Sequence, residues 1–311
     1  MFSGVRFYLL SWLALSYLVL AADTKANTKD GYVGNQPCRT CHPDITSTFF
    51  KNPHQKSTVN ESLSPDRQGC ESCHGPAKEH VESRGDKSKI FAFSVKNPKQ
   101  ILDRCLTCHS ETLNRANIRR SDHTRADVVC TNCHSIHKST TAKALLAKKQ
   151  VDLCYSCHSN VRAQFSMPFK HRVNEGFMTC SDCHNPHGTS TPTWRAAGRP
   201  RMVDQSINEE PCLKCHTDKR GPFVFEHAAT RVDGCETCHI PHGSANARLL
   251  KRPTAFPLCL ECHNGTPGFG RTTDGISTQS SSHNMADPRY HNCTSCHVRI
   301  HGSNSSGRFL R

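Results

Sequence analysis

The 311 residues include 20 Cys and 21 His and carry a formal charge of +14. Beyond the first 21 residues, Leu, Ile, Val and Phe number 47 of 290, or 16%, too few for a charged chain to build a large hydrophobic core. A conventional globular domain of this length is excluded: either the chain is disordered or a bound group fills its interior, held by the Cys and His.

In chain order the first element is an export signal. Arg6 precedes an apolar run from Phe7 to Leu20, followed by Ala21-Ala22-Asp23, with Val19 and Ala21 at the small-residue positions before a cut. The run has 14 residues, short of the roughly 20 that cross a bilayer. Cleavage is therefore predicted after Ala21. Residues 22–311 are then a single elongated domain, exported and without a transmembrane helix of its own. Export also means an oxidising compartment, where the cysteines would pair as disulfides unless otherwise used.

The next elements repeat to the end of the chain. Every Cys lies in a Cys-x-x-Cys-His motif: Cys38 with Cys41, Cys70 with Cys73, Cys105 with Cys108, Cys130 with Cys133, Cys154 with Cys157, Cys180 with Cys183, Cys212 with Cys215, Cys235 with Cys238, Cys259 with Cys262, and Cys293 with Cys296. A disulfide framework does not explain ten identical spacings with a His after each. Zinc ribbons do not need that His, and a thioredoxin-like pair would occur once, beside a βαβ pattern that is absent. The motif is instead that of covalent c-type haem. Two thiols add to two vinyl groups, and the adjacent His is the proximal iron ligand. Ten haems are predicted, with proximal His42, His74, His109, His134, His158, His184, His216, His239, His263 and His297.

Eleven histidines remain, and their placement alternates. The motifs starting at Cys38, Cys105, Cys154, Cys212 and Cys259 have none close by. The others are flanked on both sides: His54 and His80 about Cys70, His123 and His137 about Cys130, His171 and His187 about Cys180, His227 and His242 about Cys235, and His283 and His301 about Cys293. The chain thus divides into five two-haem modules, at about residues 38–80, 105–137, 154–187, 212–242 and 259–301, each bringing two extra His for its two irons. The ten flanking His are the predicted distal ligands. His291, two residues before Cys293 where the other upstream His lie 7 to 16 residues ahead, is the predicted bystander. Methionine cannot replace the set, since the mature chain has only Met167, Met178, Met202 and Met285. Three extended residues reach only about 10 Å, so His137, His187 and His242 cannot wrap round to the haem whose proximal His lies three positions earlier; they are predicted to ligate a neighbouring haem.

An iron with two strong nitrogen ligands has no open position, so it exchanges electrons rather than binding substrate. The charge agrees with such a load. Without Arg6 the chain carries +13; twenty propionates and ten singly positive ferric centres bring it to about +3 oxidised and about −7 reduced. Lys and Arg are scattered and aromatics make up 7%, which argues against nucleic-acid binding. Between motifs the chain is rich in Gly, Pro, Ser and Asn. Short helices are predicted around Pro98–Cys108 and Ser139–Val151, with surface loops at Ser83–Gln100, Gly188–Pro211 and Asn264–Ser282, and negligible β-structure.

These features resemble the decahaem cytochromes of the MtrA/DmsE type. The resemblance rests on the ten motifs behind an export signal and on local wording: Cys70-Glu-Ser-Cys-His-Gly-Pro, Gly221-Pro-Phe-Val-Phe-Glu-His227, Cys235-Glu-Thr-Cys-His-Ile-Pro-His-Gly-Ser, and Cys293-Thr-Ser-Cys-His-Val-Arg-Ile-His301-Gly-Ser-Asn. It spans the whole mature chain. It implies a multihaem wire, mostly coil with few short helices, in the periplasm or embedded in an outer-membrane β-barrel porin. Such a wire works with other cytochromes or redox proteins to carry electrons between periplasm and extracellular acceptors or donors. Two alternatives stand beside it: an oxidoreductase with one open haem site acting on a small nitrogen or sulfur compound or a metal ion, and a soluble periplasmic shuttle.

Overall fold

The computed structural model describes residues 30–60, 62–94, 96–111, 115–139, 144–188, 211–263 and 287–311. The predicted export signal, His283 and the loops predicted at 188–211 and 264–282 lie wholly or almost wholly outside them. The described residues are mostly coil, with twelve short α-helices, several single 3₁₀ turns and one two-stranded antiparallel sheet. The longest helix, at Pro98–His109, has 12 residues. No helix among the described residues is long and apolar enough to cross a membrane.

Where the sequence reading treats residues 22–311 as one domain, the chain resolves into two compact units. One comprises Met1–Thr46 with Pro53–Ala92, the other Ser47–Asn52 with Phe93–Arg311. In the first unit α1 (Asn35–Cys41) carries the first haem motif, α2 (Pro43–Phe49) begins there, and α3 (Pro53–Thr58), α4 (Glu71–His74) and α5 (Lys78–Glu82) follow. Its organising residue is Glu71, 3% exposed. The Glu71 carboxylate accepts the backbone N–H of Val33, Gly34 and Ala77 at 3.1, 2.8 and 2.9 Å. These bonds draw the segment before α1 onto α4, and removing them would strand a buried charge.

The second unit contains α6 (Pro98–His109), α7 (Asp122–Arg125), α8 (Cys130–Cys133), α9 (Gln150–Tyr155), α10 (Ser159–Gln164), β1 (Phe169–Lys170), α11 (Cys180–Cys183), β2 (Gly243–Ser244) and α12 (Ala255–Leu260). β1 pairs with β2 through Phe169 with Ser244 and Lys170 with Gly243. Among the described residues the buried apolar side chains are few: Ala77 in the first unit, and Ile101, Leu102, Leu106, Val129, Phe165, Val173 and Leu213 in the second. Their scarcity matches the composition. The helix predicted at Pro98–Cys108 forms, because Pro98 opens it with a preset φ and Ile101, Leu102 and Leu106 bury one face.

The helix predicted at Ser139–Val151 does not form as written. Ala144 and Leu145 take left-handed backbone, with φ 58° and 49°, and helix begins only at Gln150. Likewise, the predicted loop at Ser83–Gln100 contains a 3₁₀ turn at Lys87–Lys89 and the first turn of α6.

Candidate functional site

Each Cys-x-x-Cys-His motif folds into one turn closed between the first Cys carbonyl and the His N–H. The bond measures 2.8 Å at His42 and His134, 3.0 Å at His74 and His239, and 2.9 Å at His158, His184, His216, His263 and His297; His109 ends α6. A helical turn puts positions i, i+3 and i+4 on one side, so both sulfurs and the imidazole address a single group. Where the residue before the second Cys is Asn132 or Asp182, its side chain accepts the N–H of Val129 or Thr179 at 2.8 and 2.7 Å, capping the turn.

Sulfurs of successive motifs meet. Hydrogen bonds join Cys38 to Cys70, Cys105 to Cys130, Cys154 to Cys180 and Cys259 to Cys293. Bonds from Cys38, Cys105 and Cys154 hold the thiols of Cys70, Cys130 and Cys180 down to about 7.

Seven proximal histidines each face one flanking histidine. Ring centres are 6.5 Å apart for His42 and His80, 6.1 Å for His134 and His187, 6.2 Å for His158 and His123, and 5.9 Å for His184 and His242. They are 6.3 Å apart for His216 and His171, 6.3 Å for His239 and His301, and 6.2 Å for His263 and His227. Two metal–nitrogen bonds of about 2.0 Å and the ~1.1 Å from each ring centre to its nitrogen sum to about 6 Å, so one ion between two imidazoles fits this spacing. Among the described residues no group of three or more His, Cys, Asp or Glu gathers as a metal site, and two imidazoles suit an iron whose other four ligands come from a porphyrin. Burial also holds His184, His187, His227, His242 and His263 below the usual imidazole range. Burial, with Lys219 nearby, lowers His301 to about 4. A neutral imidazole keeps a lone pair for a metal.

In every pair one imidazole is oriented by a hydrogen bond. At Nδ1, His80 meets the Asp86 carbonyl at 2.8 Å, His123 that of Pro186 at 2.9 Å, His134 that of Ala144 at 2.6 Å, His171 that of Pro241 at 2.6 Å, and His239 that of Arg248 at 2.9 Å. His242 meets the Gln164 side-chain oxygen at 2.8 Å, and His227 takes a backbone hydrogen bond with Ile300. A carbonyl only accepts, so Nδ1 carries the proton and Nε2 is left for the metal. The other member of each pair has no such bond among the described residues.

The clips on His134 and His239 share one construction. The Ser135 N–H donates to Leu145 O at 2.8 Å and Ala147 N–H to Cys133 O at 2.9 Å; Ile240 N–H donates to Leu249 O at 2.7 Å and Lys251 N–H to Cys238 O at 3.0 Å. Arg248 and Leu249 are both left-handed, at φ 59°, at a cost of about 1–2 kcal/mol each. A shorter version holds His297, whose Nδ1 lies 2.6 Å from Arg308 O before left-handed Phe309. His74 Nδ1 likewise donates to Phe91 O at 3.0 Å.

The seven pairs use fourteen of the twenty candidate ligands; the others are His54, His74, His109, His137, His297 and His283, of which His283 lies outside the described residues. His291 packs its ring on Phe256, centres 4.0 Å apart. In the second unit every pair sets a proximal His of one module against a flanking His of another, so the module boundaries read from the sequence do not enclose the pairs. His187 and His242 face the proximal His of the previous flanked motif, His134 and His184. Sequence reasoning missed the clips, because backbone carbonyls leave no residue signature, and it missed Gln164, which lies 78 positions from His242.

Turns that present two sulfurs and one imidazole, opposed by a second imidazole at metal-bridging distance, define a multihaem c-type cytochrome. Family models agree: the doubled CXXCH motif matches residues 123–163 and 227–268, cytochrome c7 and related cytochrome c residues 165–240, and cytochrome c554 and c-prime residues 77–135. The chain is 33% identical over 289 residues to the multiheme cytochrome MtrA of Shewanella baltica (strain OS185), covering 89% of this chain and 81% of that protein. It belongs to the MtrA family of multihaem cytochromes.

Proposed function

We propose that the protein is a non-catalytic electron relay with ten covalent haems c, one per Cys-x-x-Cys-His motif. Each is held between its proximal His and one of His54, His80, His123, His137, His171, His187, His227, His242, His283 and His301. The observation that carries this reading is the spacing of 5.9 to 6.5 Å in seven proximal–distal pairs. Bound there, haem iron supplies a one-electron Fe(III)/Fe(II) couple. With a histidine on each side, such an iron would keep no open position for a substrate. Sulfur neighbours such as Cys38 with Cys70 and Cys154 with Cys180 support close approach of successive haem edges, and so a path that follows chain order.

In this reading residues 1–21 are removed on export and residues 22–311 work in the periplasm or within an outer-membrane barrel porin, exchanging electrons with other cytochromes or redox proteins across that membrane. The family membership supports this placement. Mass and pyridine haemochrome analysis of the purified protein give ten haems per chain if the reading is right. Co-purification with a porin from outer-membrane extracts separates a conduit from a soluble shuttle.

A further inference from the structure

In six of the seven pairs the oriented imidazole is held by backbone, and in the seventh, that of His242, by a side chain. Gln164 is the last residue of α10, and its amide oxygen lies 2.8 Å from His242 Nδ1 across 78 positions of chain. The seat is tightly built. The Phe165 ring, 7% exposed, lies 5.1 Å from the His242 ring. A Cβ on Gly243 would fall 2.0 Å from the Gln164 carbonyl oxygen, so only glycine lets the chain pass the end of α10 at this point. Pairing of Gly243 with Lys170 and of Ser244 with Phe169 fixes that approach, while Met167 N–H holds the Gln164 carbonyl at 3.0 Å.

We propose that Gln164 is a positioning residue that sets the reduction potential of the haem attached at Cys180 and Cys183, by accepting the Nδ1–H of its distal ligand His242. This rests on the ligand reading above, in which His184 and His242 share one iron. An acceptor on Nδ1–H gives the imidazole more imidazolate character and makes it a stronger donor, which favours Fe(III) over Fe(II). A carboxylate in the same place accepts more strongly, and an alkyl chain does not accept at all. Backbone carbonyls give the other sites one fixed acceptor; at this site a single codon can change its strength.

The test uses holoprotein and three variants, followed by EPR-monitored potentiometric titration with dithionite as reductant. His242→Ala identifies the signal, since it should remove one low-spin ferric species and no other. On that signal, Gln164→Leu should shift the Fe(III)/Fe(II) ratio at fixed potential about tenfold toward Fe(II), equivalent to 59 mV for a one-electron couple. The isosteric Gln164→Glu should shift it the opposite way, with the haem low-spin in both. Opposite signs are the decisive feature, because loss of packing would move both variants alike. Shifts in the same direction, or none, overturn the role of Gln164 while leaving the ligand assignment intact. If His242→Ala removes no low-spin signal, the ligand assignment itself falls, and the proposal with it.

Discussion

Three sites consecutive in chain order, at the motifs beginning Cys154, Cys180 and Cys212, differ from the other four paired sites in one respect. Their imidazole planes cross at 61°, 53° and 67°. At the motifs beginning Cys38, Cys130, Cys235 and Cys259 the planes are within 10° to 15° of parallel. The motif turn is the same in both groups, so the angle comes from how the two histidines are brought together and held. In the crossed group the hydrogen bonds on His123, His171 and His242 reach across 63, 70 and 78 positions. In the parallel group His80, His134 and His239 are held from 6, 10 and 9 positions away. His227, held by Ile300, is the exception. The lesson is that a uniform attachment motif yields distinct iron environments when chain topology changes the partner. For a low-spin ferric ion, parallel imidazole planes split the two iron d orbitals that share the unpaired electron and give a rhombic signal; crossed planes leave them nearly degenerate and strongly anisotropic.

The largest expected effect comes from removing the haems. Protein made without haem attachment should be largely unfolded by circular dichroism, erasing both classes of site, because the buried apolar side chains among the described residues are too few to hold a core. Next, deleting single ligands should separate the classes. His187→Ala should convert one rhombic species to high spin and His123→Ala one strongly anisotropic species, read by EPR at low temperature. If both remove signals of the same type, the comparison breaks.

A smaller effect is expected at the clips. Leu249→Pro cannot adopt positive φ, so it should free the ring of His239 and broaden or shift one rhombic signal; Leu249→Gly, which relieves the left-handed strain, should leave it unchanged. Ser244→Ala should cost about 1 kcal/mol of stability, measured by denaturant titration, since the Ser244 hydroxyl donates to Leu250 O at 2.7 Å beside that clip. The smallest effect is at His291: His291→Ala should leave every haem signal in place and cost about 1 kcal/mol from the lost ring contact with Phe256.

The attachment chemistry was legible in the sequence because covalent haem demands fixed residue types at fixed spacing. The meeting of histidines from different modules was not, since a His before Cys130 can meet His158 only through a fold the local pattern does not encode. The clips were hidden more deeply. Ala144, Leu145, Arg248 and Leu249 are poor markers of left-handed backbone, and Ala-Lys-Ala-Leu-Leu-Ala-Lys-Lys from 142 to 149 reads as good helix by propensity. There, three hydrogen bonds to the neighbouring haem motif outweigh it.

An electron relay of this kind requires each iron to be gripped between two histidines. Low-temperature EPR of the fully oxidised holoprotein, with spins counted against haem content, tests it most directly. Only low-spin ferric iron is expected, divided between rhombic and strongly anisotropic species. A high-spin ferric signal equal to one haem per chain, shifting when a small anion such as nitrite is added, would contradict it.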